Sequence, residues 1–215
     1  MARLNSLRMD NPLQPHHFAR VDETPDTWFY QPPRIVTHID EPACAALALF
    51  YRERLPAGGR ILDLMSSCVS HLPKDVAYDR VIGHGMNVTE LSANKQLTGA
   101  FVQDLNKNPA LPFADATFDG CTVAVSVQYM TRPVEIFREV ARILKPGAPF
   151  ILSFSNRMFP TKAVAIWRAL DDHQHGGLVN LYFRLSEGFG PAEFADISPF
   201  PGRSDPLYAV VASRA

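Results

Sequence analysis

Short apolar segments alternate with amphipathic ones along most of the chain. Apolar and β-branched runs predict strands at residues 60–65, 79–85, 99–105, 118–127 and 149–155. Apolar residues at helical spacing predict helices from Glu41 to the PAGG stop at 56–59, over 89–97 and over 133–144, and a short, proline-interrupted helix between the first two strands. Because strands alternate with helices, the pattern predicts a parallel sheet covered by helices on both faces.

The C-terminal part has a different pattern. Residues 161–173 (TKAVAIWRALDDH) predict a helix, and two short strands follow near 193–200 and 207–213. The intervening PGRSD is typical of a turn, so this last pair is expected to be antiparallel. The predicted fold is therefore α/β, a Rossmann-like three-layer sandwich whose mostly parallel seven-stranded sheet ends in a C-terminal antiparallel hairpin. Residues 1–40 are predicted to form an N-terminal arm or cap, and residues 41–215 a single domain.

Composition narrows the possible functions. The chain has 215 residues, is 47% hydrophobic and carries a net charge of −1, which fits one large domain and disfavours a nucleic-acid groove. Its N-terminus lacks an apolar core of signal-peptide length, and no segment approaches a membrane span. Three cysteines without a CxxC pair argue against disulfides and zinc, so we expect a cytoplasmic protein without a metal; DDHQHGG at 171–177 is interpreted as a solvated helix end.

The candidate site residues lie at the carboxyl end of each predicted parallel strand. In open α/β sheets, ligands bind outside the carboxyl ends of the strands, so these residues are expected to converge on one site. They are Asp63, Met65, Ser66 and Ser67 after the first strand, Gly85, Met86 and Asn87 after the second, Asp104 and Leu105 after the third, Ser126 and Tyr129 after the fourth, and Asn156 and Arg157 after the fifth.

Residues 102–156 resemble the central half of the class I S-adenosylmethionine-dependent methyltransferases, in particular the small "type 11" group. The resemblance rests on an Asp-Leu after the third strand, on LPFADATFD before the fourth, and on a helix that ends in RILKPG. It extends over about 60–155, and the terminal hairpin suits that family's sheet. It implies S-adenosylmethionine as cofactor and methyl transfer to a small-molecule substrate, without nucleic-acid or membrane partners.

The cofactor motif departs from the family pattern. The family has alternating glycines after its first aspartate, whereas this chain reads DLMSSCVSH, and Gly85 stands where the family carries an acid that binds the ribose. We expect Ser66 and Ser67 to offer backbone N–H groups and hydroxyls to the methionine carboxylate, and Asn87 to reach the ribose. The resemblance places Asp104 and the Leu105 amide at adenine; alternatively, Asp104 caps a turn.

The acceptor side is predicted from aromatic and basic residues. Tyr129, with Phe29 or Tyr30 from the arm, would favour a cationic sulfonium. Arg157 with Asn156 would bind a carboxylate or phosphate of the acceptor, or else pair on the surface and cap a helix. His38 is a candidate base or a structural hydrogen-bonding residue. The arm segment 28–40 either contacts substrate or attaches the arm through Trp28, Phe29 and Ile35.

Two other functions stay open. The altered motif is compatible with a non-catalytic methyltransferase-fold module that binds or regulates. A nicotinamide-dependent oxidoreductase is weaker, because a pyrophosphate needs the glycine-rich turn that this sequence lacks.

Overall fold

A seven-stranded mixed sheet forms the centre of the molecule in the computed structural model, which describes residues 12–215. The strand order is β3-β2-β1-β4-β5-β7-β6. β1 to β5 are parallel, whereas β7 runs antiparallel to both β5 and β6, which confirms the predicted fold class. The strands are β1 Arg60–Asp63, β2 Arg80–Gly85, β3 Gly99–Val102, β4 Gly120–Ala124, β5 Pro149–Phe154, β6 Glu193–Asp196 and β7 Tyr208–Ser213.

Helices cover both faces of this sheet. Neighbouring strand residues alternate between two cores: Ile61 joins the core that contains α2, and Leu62 joins the core that contains α4 and α6. The three layers predicted from the sequence are therefore present. The helices are α1 Asp26–Phe29, α2 Glu41–Arg54, α3 Val88–Ala93, α4 Pro133–Ile143, α5 Ala165–Arg168 and α6 Asp172–Ser186.

The helix predicted between β1 and β2 is wrong, because residues 64–79 form turns and irregular backbone. Side chains just after α3 supply the hydrogen bonds that a helix would have made internally. Asn94 donates to the Ser67 carbonyl at 3.1 Å, and the Gln96 amide accepts from the Ser70 N–H at 3.2 Å and donates to the Leu72 carbonyl at 2.7 Å. Side chains outside the segment 64–79 thus hold its backbone in place.

The C-terminal helix prediction was also wrong in position. Residues 161–171 contain only the short helix α5, and the long helix α6 starts inside DDHQHGG, at Asp172. Asp171 is the N-cap of α6. Its carboxylate accepts from the Gln174 N–H at 2.9 Å, and its own N–H donates to the Gln174 side chain at 3.0 Å. His175 is buried and stacks on Trp167, with ring centroids 3.9 Å apart.

The described part of the N-terminal arm, residues 12–40, is held by buried ions. Arg20 donates to Asp26 at 2.6 Å, and the fully buried Lys162 donates to the Thr24 carbonyl at 2.6 Å and lies 3.3 Å from Asp26. Residues 1–11 of the predicted arm lie outside the described residues. Within residues 12–215, the helices all fall short of the length and apolar character that a membrane span requires.

Candidate functional site

A cavity of about 280 Å³ lies between the described arm and the carboxyl ends of β1, β2 and β4. Its volume is near the lower end of the range of about 300–1,000 Å³ that small-molecule sites occupy. The structure brings together on its wall all predicted site residues except Asn87 and Asn156. These are Asp63, Met65, Ser66, Ser67, Gly85, Met86, Asp104, Leu105, Ser126, Tyr129, Arg157 and His38.

Asp63 ends β1 and forms the buried floor of the site. Its carboxylate accepts from the Ser66 hydroxyl at 2.5 Å and from the Thr122 hydroxyl at 3.2 Å. Burial raises the pKa of Asp63 to about 6, although these hydrogen bonds oppose the shift. The aspartate therefore organises the loop that follows β1 and changes its charge near neutral pH.

The two motif serines do not use their hydroxyls as the sequence predicted. Ser66 donates to Asp63 and Ser67 donates to Glu90 at 2.7 Å, so both hydroxyl protons are bound within the protein. The Ser66 N–H is also used, since it donates to the His84 carbonyl at 2.6 Å. Preceding them, Met65 adopts a φ of 57°, a left-handed conformation that the family's glycines adopt without strain.

Gly85 is required by close packing against the motif loop. A Cβ at this position would lie 2.6 Å from the Ser66 carbonyl oxygen, which is well inside van der Waals contact. An acidic side chain of the kind that the family carries there therefore has no space. The change at Gly85 and the change in the loop are two aspects of one packing arrangement.

The buried His84 ring connects that loop to the sheet through hydrogen bonds. Its Nδ1 accepts from the Met65 N–H at 3.1 Å, and its Nε2 lies 2.9 Å from the Gln103 carbonyl oxygen. These two partners require a neutral ring with the proton on Nε2. Burial lowers the pKa of His84 to about 4, consistent with that neutral form.

Glu90 is a wall residue that the sequence reasoning missed. It lies in the first turn of α3, where a glutamate usually indicates a solvated helix start. Its side chain is instead 7% exposed and lines the cavity. One carboxylate oxygen accepts from the Arg34 N–H at 2.7 Å, and the other accepts from the Ser67 hydroxyl.

The structure gives Asn87 and Asn156 other positions. The Asn87 side-chain oxygen Oδ1 caps α3 by accepting from the Thr89 and Glu90 N–H groups. Its side-chain nitrogen Nδ2 donates to the Tyr30 and Gln31 carbonyls at 2.9 Å each. All its hydrogen-bonding capacity is used, so it does not reach a ligand. Asn156 is exposed, outside the cavity wall, and it does not precede α5 as a cap.

Asp104 caps a turn, which is one of the two alternatives that the sequence left open. Its Oδ1 accepts from the Asn106 N–H at 3.0 Å and so caps the turn, while its Oδ2 lies 3.7 Å from the Lys107 ammonium. Within residues 12–215, the Leu105 N–H and the buried Ser126 hydroxyl have no hydrogen-bond partner. An acceptor, a donor and a hydroxyl are therefore available on the cavity wall.

Aromatic rings form the opposite wall, around Phe159. Phe159 stacks on Tyr129, and its N–H donates to the Tyr129 hydroxyl at 2.8 Å. Phe29 contacts Phe159 edge-to-face at 5.3 Å, and the Arg34 guanidinium lies 5.1 Å from the Phe159 ring centre. Phe29 thus attaches the arm, as one of the sequence-based alternatives stated.

Two further arm residues do not attach it. The predicted packing roles of Trp28 and Ile35 are wrong, because Trp28 is 69% exposed and Ile35 is 56% exposed. Tyr30, the other aromatic candidate, lines the cavity.

Two imidazoles and an arginine also line the cavity. His38 packs edge-to-face on Phe159 at 5.6 Å, and burial lowers its pKa. His71, which is 6% exposed, lines the cavity beside it, and burial lowers its pKa to about 4. Arg157 donates to Asp205 at 2.8 Å through Nε, yet its side chain is 63% exposed at the cavity rim.

Part of the chain is similar to a known protein family. Residues 69–152 match the family described as "Methyltransferase domain". The match covers less than half of the chain and supports a class I methyltransferase-like fold. The resemblance that the sequence showed to these methyltransferases is confirmed.

The curated relatives that the chain matches are longer proteins. The chain is 33% identical over 96 residues to the biotin biosynthesis bifunctional protein BioHC of Teredinibacter turnerae, a match that covers 45% of the chain and 16% of the relative. The chain thus spans less than one fifth of that protein's length.

Solved structures of methyltransferases share the domain's fold. The methyltransferase in complex with the Haloferax volcanii Trm112 activator superposes with a TM-score of 0.61 at 18% identity, covering 81% of this chain and 90% of the other. Geranyl diphosphate C-methyltransferase from Streptomyces coelicolor, solved with Mg²⁺, geranyl diphosphate and S-adenosyl-L-homocysteine, gives 0.54 at 15% identity, covering 79% and 80%.

Proposed function

We propose that this chain binds S-adenosylmethionine in the cavity at the strand ends and transfers its methyl group to a small molecule. The observation that carries the proposal is a set of polar groups on the wall that form no hydrogen bond within the described residues: Asp104 Oδ2, the Leu105 N–H and the Ser126 hydroxyl. An acceptor next to a backbone donor is the pair that the edge of an adenine ring requires. Residues 1–40 act as the cap and residues 41–215 as the methyltransferase domain.

The wall also suits a cationic ligand. Asp63, Glu90 and Asp104 line one side, and Tyr30 and Tyr129 present aromatic rings. Carboxylates and electron-rich rings both stabilise a sulfonium, each ring by about 0.5–2 kcal/mol. The cofactor supplies an electrophilic methyl carbon, and these residues hold and orient its carrier.

The protein's main contribution to methyl transfer is alignment. Positioning of the reacting atoms in near contact supplies a large part of the acceleration when the methyl donor is already activated. Phe159, Tyr129 and the arm enclose the side of the cavity on which the acceptor would lie. His38 and His71 face the same side and are available to accept a proton from a hydroxyl or amine acceptor.

Arg157 favours an acceptor that carries a carboxylate or phosphate. Its Nε is bound to Asp205, and its terminal nitrogens at the rim remain for a planar anion. A test is transfer of labelled methyl from S-adenosylmethionine to anionic small molecules and to their neutral amides. Arg157→Met should raise KM for the anionic acceptor about tenfold with kcat nearly unchanged.

Arg203→Met is the matched control for Arg157→Met, since Arg203 is an exposed arginine outside the cavity wall. It should leave KM unchanged. If no labelled methyl group is transferred to any of the acceptors, the enzymatic proposal is contradicted.

A non-catalytic binding module is the second candidate. It is favoured by the committed hydroxyls of Ser66 and Ser67 and by the missing helix after β1, which leave fewer groups for the cofactor's methionine part. Such a module would bind the cofactor without turnover. Measurable methyl transfer that Asp104→Ala abolishes would exclude it.

A further inference from the structure

Glu90 is a buried carboxylate whose hydrogen bonds are incomplete. Each of its two oxygens accepts one hydrogen bond from the protein, from the Arg34 N–H and from the Ser67 hydroxyl. An ionised carboxylate offers about four acceptor positions, so about one per oxygen is left. Within residues 12–215, Glu90 forms no ion pair with a lysine, arginine or histidine.

The side chain also gives up its usual local role. At the third position of a helix, a glutamate commonly turns back to the N–H of the capping residue. Glu90 does not do this. It extends to the cavity wall, where the arm on one side and the motif loop on the other hold it in place.

The other carboxylates on the wall differ from Glu90. Both hydrogen bonds of Asp104 fall on Oδ1, and its Oδ2 lies 3.7 Å from the Lys107 ammonium. Asp26 accepts from Arg20 and Asn106 and lies 3.3 Å from Lys162, and Asp63 accepts from Ser66 and Thr122. At the end of β2, Gly85 has no room for a side chain at all. Asp63 likewise accepts one hydrogen bond on each oxygen, but it is only 1% exposed, against 7% for Glu90. Glu90 is therefore the more accessible wall carboxylate with one position open on each oxygen.

We infer that Glu90 binds the two neighbouring hydroxyls of the cofactor's ribose. A vicinal diol presents two donors at a spacing that one carboxylate accepts, one on each oxygen. The inference rests on the proposed function, since it assigns a residue to the adenosyl ligand. It moves the ribose contact from the strand end to the first turn of α3, five positions further along the chain.

The test compares two ligands in each protein variant. Calorimetry on the full chain would measure the affinity for S-adenosylhomocysteine and for its 2′,3′-dideoxyribose analogue, which lacks both hydroxyls. In the wild-type chain, loss of the diol should weaken binding about tenfold to a hundredfold. In Glu90→Gln, the same loss should weaken binding less than about threefold, because the charged acceptor is already gone.

Glu135→Gln is the matched control. Glu135 is likewise the third residue of a helix, α4, but its side chain is 45% exposed, pairs with Arg132 and lies outside the cavity wall. This variant should retain the wild-type preference for the diol. If Glu90→Gln fails to fold, Glu90→Asp shortens the side chain by one methylene and should reduce the preference in the same direction.

The outcomes separate the inference from the proposed function. Equal wild-type affinity for the two ligands, or an equal loss for both in Glu90→Gln, would overturn the role of Glu90 while cofactor binding stands. Binding of neither ligand by the wild-type chain would overturn both. A diol preference present in the wild type and lost only in the Glu90 variants would support both.

Discussion

Single residues decide how this site differs from the family pattern. The serines in the motif loop were expected to bind a ligand carboxylate, and they instead donate to Asp63 and Glu90. The sequence shows small polar residues after β1, and strand ends converge on one site in this fold. The sequence does not show the direction in which each hydroxyl points. Glu90 was missed for a related reason, since its burial depends on the arm that covers it.

Gly85 provides the sharpest test of the packing between β2 and the motif loop. Gly85→Ala should lower the free energy of unfolding by about 1–3 kcal/mol, because the new Cβ meets the Ser66 carbonyl and the loop must shift. Urea unfolding measures the change. In the control Gly177→Ala, the Cβ meets nothing within 4 Å on helix α6, so stability should rise by about 0.5–1 kcal/mol. If Gly85→Ala leaves the free energy of unfolding unchanged, the loop is not packed against Gly85 as described.

Buried titratable residues make stability depend on pH. Burial lowers the pKa of His71 and of His84 to about 4, against about 6.5 in an unfolded chain. Between these values the unfolded chain binds more protons, so acidification from pH 7 to 5 should remove about 2 kcal/mol of stability per histidine. Asp63 opposes this by about 1 kcal/mol, since its raised pKa favours the protonated folded state at pH 5.

Urea unfolding at the two pH values checks the net loss of about 2–3 kcal/mol. In His84→Gln, stability at pH 7 should be lower, and the difference between pH 7 and pH 5 should shrink. A protein that is equally stable or more stable at pH 5 would contradict the neutral, buried state of the two imidazoles.

At the scale of elements, the sheet was predictable and two helices were not. Each strand is an apolar run bounded by turn residues, and such runs can be read locally. The segment 64–79 resembles a helix, yet Asn94 and Gln96, distant in sequence, bind its backbone. α6 was masked by Gly176 and Gly177, whose low helix propensity is overridden by packing of Leu178, Val179, Tyr182 and Phe183 in the core.

The arm depends on one buried lysine. Lys162→Met leaves Asp26 with one fewer cation and the Thr24 carbonyl without its donor, so it should cost about 3–5 kcal/mol of stability. It should also expose the arm to trypsin at Arg20 and Arg34. Lys145→Met is the control: it removes a partly exposed pair with Asp119 and should cost under about 1 kcal/mol. If the two substitutions cost similar amounts of stability, the contacts of the buried Lys162 with Asp26 and Thr24 do not hold the arm.

For the whole molecule, the fold and the position of the site follow from the order of strands and the residues at their ends. The wall contains the predicted Asp63, Asp104, Leu105 and Ser126 because parallel strands deliver their carboxyl ends to one edge. What required the structure is the closure of the cavity by the arm and by Phe159, both of which depend on contacts across more than a hundred residues.

Calorimetric titration of the full chain with S-adenosylmethionine tests the central claim most directly. We expect a single site with a dissociation constant in the micromolar range, and we expect Asp104→Ala to weaken binding about tenfold or more. Absence of heat up to high micromolar ligand, in a protein shown to be folded by its cooperative unfolding, would contradict it.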